Sequence, residues 1–346
     1  MNILIEGLQG GLAGLASYLA AHVLLCLVPA FFIAGALSAL VPQQSIIRFL
    51  GPDAPKWVSY PAAAGAGSLL AVCSCTIQPL FAGIYKKGAG LGPAVTFLFF
   101  APAANILALS YTGVALGADF AIARIVLALT FGVGIGMIMA ILFQRGEAAR
   151  LAGSEAFSGG ERISGKALIF LAMLVALLLA GTLKLDFFRT VLLSGEFPWP
   201  GAHTIQSVLD RLVPVDEATG AEGLSVQGVL LIGLLAAIGV AAWRGLGKVD
   251  EGFNRLTPVA LGLTLATLVI AALGMQVSEN GVFFVLTVRT LVVIALCIAL
   301  VPLARRFDPW EMQQWLWETW RFVKQIFPLL VVGVFLVGVI RAFIRP

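Results

Sequence analysis

The chain is a succession of apolar runs, each about as long as a lipid hydrocarbon core is thick. Plain examples extend from about Leu12 to Val41, Asp119 to Phe143, Ala167 to Leu183, Val226 to Trp243, Pro258 to Met275, Val282 to Leu303 and Phe322 to Phe343. A spanning helix needs about 20 mostly apolar residues to cross roughly 30 Å of hydrocarbon, so the sequence holds material for about nine. Composition agrees: 60% of the 346 residues are apolar and 12% are charged, and mean hydropathy is +1.00. Soluble domains are about 45–50% apolar and about 25% charged. No aqueous surface can be made from this chain, and the expected fold class is all-α: a polytopic transmembrane helical bundle with broken or re-entrant helices.

The net charge of +4 and pI near 9.0 do not point to nucleic acid, because the bases are scattered through short connections and not clustered on one face. Their placement reads as topology. The linker with Arg145, Arg150, Arg162 and Lys166, the loop with Arg244, Lys248 and Arg255, and the stretch with Arg305, Arg306, Arg321 and Lys324 are expected to be cytoplasmic. The loop at 186–225 is acidic and is expected in the periplasm. The N-terminus then lies in the cytoplasm if Trp57–Leu116 crosses twice. The location implied is a bacterial inner (plasma) membrane, crossed many times, with the bilayer as a partner. Residues 308–320, DPWEMQQWLWETW, carry Trp310, Trp315, Trp317 and Trp320 beside bases. Tryptophan favours the headgroup level, so an interfacial helix is expected there.

The informative stretch is Trp57–Leu116, which stays apolar but is interrupted repeatedly by Gly and Pro. AVCSCTIQPLFA at 71–82 and FLFFAPAAN at 97–105 each place a proline among polar residues inside an apolar run. Proline lacks an amide hydrogen and clashes with the preceding turn, so each segment is expected to unwind or kink. Freed carbonyls at membrane depth are tolerated where they face protein or line a wet cavity, and paired broken helices are how many transporters build a site near the midplane. Residues two apart point apart on a helix but share a face when extended, so unwinding before Pro79 lets Cys73 and Cys75 address one ligand. Thiolates prefer soft species, and the alternative is that the cysteines simply pack as small apolar residues. Cys73, Ser74, Cys75, Gln78, Pro79, Pro102 and Asn105 are the expected substrate-binding set, with Cys73 and Cys75 as metal ligands if the cargo is a soft metal or metalloid. His22 and Cys26, four apart on one helix face, are accessory candidates, as is Arg289, seven residues into an apolar run, where it is either a counter-charge or a snorkelling anchor. Arg124 has the same ambiguity.

These residues carry a family resemblance. AVCSCTIQPLFAGIYKKGAGLGPAVTFLFFAPAANILAL resembles the signature of the predicted permeases that include the trivalent organoarsenical efflux permeases and the YraQ-like permeases. Cys73, Cys75, Gln78, Pro79, Lys87, Gly88, Gly92, Pro93, Pro102 and Asn105 occupy the pattern, which adds Lys87 to the accessory candidates. The resemblance covers about Pro29–Gly136. It implies a duplicated fold, of which this chain shows the first half and the start of the second. The expected organisation is a permease repeat at 1–143, a cytoplasmic linker at 144–166, a four-helix scaffold at 167–304, and at 305–346 an interfacial helix with the start of a truncated second repeat. Either the sequence is a fragment, or a second half-permease chain or a homo-oligomer completes the pore.

The expected function is a permease for a small thiophilic solute, namely a trivalent arsenical, a soft metal ion or a sulfur-containing molecule, moved outward. No Walker-type motif is present, so ATP hydrolysis by the chain is not expected; neither catalysis nor a cofactor is expected. The alternatives are a thiol–disulfide oxidoreductase, which normally has two residues between its cysteines at a helix start, where Cys73 and Cys75 have one, and a non-transporting subunit of a membrane complex.

Overall fold

The computed structural model describes residues 2–52, 54–69, 74–105, 108–109, 112–113, 116–147, 164–182, 186–199, 201–212, 224–252, 254–278 and 281–344. Its helices are α1 (Asn2–Tyr18), a π-helical stretch (Leu19–Leu27), α2 (Val28–Leu40), α3 (Gln43–Leu50), α4 (Lys56–Leu69), α5 (Ser74–Lys86), α6 (Leu91–Ala103), α7 (Ala118–Leu142), α8 (Gly165–Thr182), α9 (Ala202–Leu212), α10 (Val226–Gly245), α11 (Leu256–Ala272), α12 (Val288–Ala304) and α13 (Pro309–Ile344). Among them α7, α8, α10 and α13 are long and apolar enough to cross a membrane. The fold is the all-α polytopic bundle that composition demands.

Three short strands depart from the expected pattern. β1 (Val191–Phe197), β2 (Gly274–Ser278) and β3 (Gly281–Thr287) form an antiparallel sheet in the order β1-β3-β2. Residues 282–287, VFFVLT, are β-branched, aromatic and aliphatic, which suits a pleated, half-buried surface. The apolar run read as one span at Val282–Leu303 is therefore a strand followed by a helix. Arg289 is the second residue of α12, not a residue deep in a span.

The chain forms two compact units that are discontinuous in sequence. The first comprises Met1–Pro29, Lys184–Val301 and Val323–Pro346. There α10 packs on α11, and Gln227 donates to the carbonyls of Ile270 and Leu273 at 2.9 and 2.7 Å, closing the C-terminus of α11. Thr290 donates to the Ala272 carbonyl at 2.7 Å. Gly11 and Gly14 of α1 lie against Phe335, Val339 and Gly338 of α13, where a Cβ would crowd the neighbour.

The second unit comprises Ala30–Leu183 and Pro302–Phe322. Phe170 of α8 is buried edge-on against Trp315, with ring centroids 4.8 Å apart, and against Phe307 at 5.2 Å. Trp315 donates its indole N–H to the Phe32 carbonyl at 2.9 Å. The tryptophan stretch read as an interfacial helix thus begins one long helix, and Trp315 and Trp320 are buried in protein while Trp310 is exposed.

Within this unit α4, α5 and α6 set the architecture. Tyr60, early in α4, lies against Gly92, early in α6, and Gly67, late in α4, lies against Ala101, late in α6. The two helices therefore run side by side in the same direction. α5 ends at Lys86 and joins the start of α6 through a tight turn in which Gly88 takes φ 93°, a left-handed conformation that favours glycine. The Gly90 amide donates to the Leu50 carbonyl at 2.7 Å, so the end of α3 is at this same end of the unit. α4 leaves that end and α5 returns to it, so the two helices form a helical hairpin. At 1.5 Å per residue its arms are about 20 Å long, short of the roughly 30 Å hydrocarbon core.

Candidate functional site

α4 ends at Leu69 and α5 begins at Ser74. Of the expected ligands, Cys73 lies outside the described residues, while Ser74 and Cys75 open α5, with their side chains also outside them. The chain does not come undone at Pro79 as expected: Pro79 sits inside α5 and is buried. The reason is local. A proline removes the bond from its own amide to the carbonyl four residues back, here that of Cys75, and the first-turn amides of a helix have no internal partner in any case. Placed in the second turn, Pro79 costs the helix one bond. Gln78 is exposed, and Thr76, Ile77 and Leu80 are fully buried.

The second interruption ends α6, at the level reached by the end of α4. Ala64, Phe100 and Ala104 pack together with Leu109 and Ala128 around this point. Pro102 removes the amide that would bond to the Leu98 carbonyl, and α6 stops one residue later. The open carbonyls are then closed by side chains. Asn105, buried, donates from Nδ2 to the Ala101 carbonyl at 3.2 Å and accepts the Ala108 amide on Oδ1 at 2.8 Å. It ends one helical piece and N-caps the next, whose first bond runs from the Leu109 amide to the Asn105 carbonyl at 3.0 Å. Arg124 of α7 donates from Nε to the Ala103 carbonyl at 2.6 Å and from Nη1 to the Thr112 hydroxyl at 3.0 Å. Sequence reasoning listed Arg124 as ambiguous; its contacts place it at this break.

α7 closes on α6 through small residues. Gly132 and Gly136 are buried, and a Cβ on Gly136 would collide with the Thr96 hydroxyl and the Gly92 carbonyl. Thr96 donates to the carbonyls of Gly92 and Gly132 at 3.0 and 3.1 Å, so its hydroxyl serves packing.

The opposite end of the hairpin is polar. Glu147, just past α7 and buried, accepts the Tyr85 hydroxyl at 2.7 Å and the Leu91 amide at 3.0 Å, capping α6 from 56 residues away. Lys86 pairs with Glu318 and lies 5.9 Å from the centroid of the Phe322 ring. Burial pushes the neighbouring Lys87 ammonium below the usual lysine range, with Glu318 opposing and Lys86 adding to the shift. Lys87 is thus about 20 Å of helix away from the start of α5, and the structure does not bring it to the cysteines. His22, Cys26 and Arg289 belong to the first unit: His22 and Cys26 lie on the π-helical stretch, where Cys26 is buried and the His22 side chain is outside the described residues. Among the described residues no group of three or more His, Cys, Asp or Glu side chains is placed to hold a metal.

A helical hairpin beside an interrupted helix, among apolar helices, is an arrangement of carriers. A model of a predicted permease family, ArsP_1, matches residues 10–346. The chain belongs to this family. The permease is 30% identical over 330 residues to UPF0718 protein MJ0584 of Methanocaldococcus jannaschii, an alignment covering 95% of the permease and 67% of that relative. No solved structure matches the permease.

Proposed function

We propose that this membrane permease carries a small thiophilic solute, either a trivalent arsenical, a soft metal ion or a sulfur-containing molecule, outward across a bacterial inner membrane. The observation that carries the reading is the helical hairpin. Because α5 runs back to the end that α4 leaves, the first turn of α5, with Cys75 as its second residue, lies about 20 Å from that end. The sulfurs of Cys73 and Cys75 are soft ligands, and soft ligands favour soft cargo. Ser74, Gln78, Pro79, Pro102 and Asn105 complete the set, with Pro79, Pro102 and Asn105 acting through the backbone they shape. A second half-permease chain or a second copy completes the pathway.

The test is growth and efflux. Cells producing the permease are expected to tolerate arsenite or phenylarsine oxide better than cells without it, and Cys73→Ser with Cys75→Ser is expected to remove the advantage. Equal protection by the serine variant would rule out thiol ligation. One observation favours the oxidoreductase reading: Cys75 is the second residue of a helix, a position at which helices stabilise negative charge. Alkylation trapping during turnover decides between them, since a carrier keeps both thiols reduced and an oxidoreductase cycles them.

A further inference from the structure

We infer that Arg124 supplies a fixed positive charge at the α6 break, and that the permeant presents an anionic group to it. The inference rests on the permease reading above and narrows its cargo.

Arg124 lies on the stripe of α7 that also carries Ala121, Ala128, Gly132 and Gly136, all half-buried or buried, while Phe120, Ile122, Ile125, Val126 and Leu127 around them are exposed. It therefore faces protein, and it sits six residues, about 9 Å, beyond the start of the helix. It does not snorkel to a headgroup; it reaches inward to the Ala103 carbonyl and the Thr112 hydroxyl. Thr112 passes its own proton to the Ala108 carbonyl at 2.7 Å, leaving its oxygen to accept from Arg124.

Both partners are neutral. A guanidinium has five N–H donors and keeps its charge; two donors are used here and three remain. Among the described residues the nearest acid in sequence, Asp119, is exposed at the first turn of α7. Glu147 and Glu318 are at the other end of α6, with the Leu91 amide and Lys86. Closing the Ala103 carbonyl requires a donor and not a charge, and a neutral amide would serve. A charge kept at membrane depth calls for a cavity or a counter-charge. An interrupted helix and, among the described residues, three unused donors at one point describe a place where an anion supplies that counter-charge in transit. The same charge repels cations, so among thiophilic cargoes the soft metal ion is disfavoured and an arsenical or sulfur compound bearing a carboxylate or oxyanion is favoured.

The experiment uses the full chain in proteoliposomes and three probes with one thiophilic head: phenylarsine oxide, its 4-carboxy derivative and its 4-aminomethyl derivative. Internal arsenic is counted by mass spectrometry after subtracting protein-free rates. The carboxylate is expected to move roughly tenfold or more faster than the ammonium, the scale of one unit-charge interaction near a protein surface. Arg124→Gln is expected to erase that ratio, and Arg124→Lys, which retains the charge, to preserve it. Equal movement of all three probes by the unaltered permease would overturn the inference. So would a proportional slowing of all three in both variants, the mark of a structural staple, or loss of the ratio in Arg124→Lys. Serines at Cys73 and Cys75 that leave all three rates unchanged would remove the thiol ligands instead, with the charge ratio still read on Arg124.

Discussion

Asn105 ties both ends of its amide to backbone around the α6 break, and this makes it the hinge pin of the interruption. Its replacement by alanine loses an N-cap and reopens the Ala101 carbonyl, and is expected to lower stability by about 1–2 kcal/mol. Thermal unfolding in nanodiscs reads this directly, and an unchanged midpoint would deny the cap its role. Glu147→Leu strands the Tyr85 hydroxyl and the Leu91 amide and is expected to cost about 1–3 kcal/mol in the same measurement, with Glu147→Gln milder because one acceptor oxygen survives. The two residues differ in how far sequence could find them. Asn105 stands out as a polar residue in an apolar run, although its type does not say whether it meets cargo or backbone. Glu147 looks like the start of a polar linker, because its partners are 56 and 62 residues away and only the fold joins them.

At the scale of elements, close approach decides which glycines matter. Gly132, Gly134 and Gly136 form one run in sequence, and a packing role is readable for the run but not for its members. Gly136 is pressed on Thr96 and Gly92, whereas Gly134 has nothing within 4 Å of where a Cβ would stand. Gly136→Ala is expected to destabilise by about 1–3 kcal/mol through overpacking, and Gly134→Ala to be neutral or slightly stabilising in a helix interior. Equal effects would mean that α7 does not seat on α6 along this face. Proline marks the interruptions only approximately. Pro102 stands one residue from the end of α6, but Pro79 lies within α5, since a proline in the second turn costs the helix a single bond. Hydropathy also merged β3 with α12, because a fully apolar strand and a buried helix are alike in content.

For the whole molecule, the count of crossings follows from the hairpin. Reading Trp57–Leu116 as two crossings put the segment before it on the periplasmic face. In the structure the Leu50 carbonyl meets Gly90, and Glu147 meets Leu91, so the segment before α4, the turn after α5 and the end of α7 share one face. α4 and α5 together add no crossing. The alternation of bases accords with this, since Arg48, Lys56, Lys86, Lys87 and Arg145 all flank these segments. Charge alone could not reveal it, because a re-entrant hairpin and a crossing pair carry the same apolar residues. The direct measurement is sidedness: single cysteines at Lys56, Lys87 and Arg145 in a cysteine-free permease, labelled with a membrane-impermeant maleimide from either side of sealed vesicles. The hairpin predicts that all three react from the same side. Labelling of position 56 from the side opposite positions 87 and 145 would mean that one crossing separates them, and that α5 does not return to the face that α4 leaves.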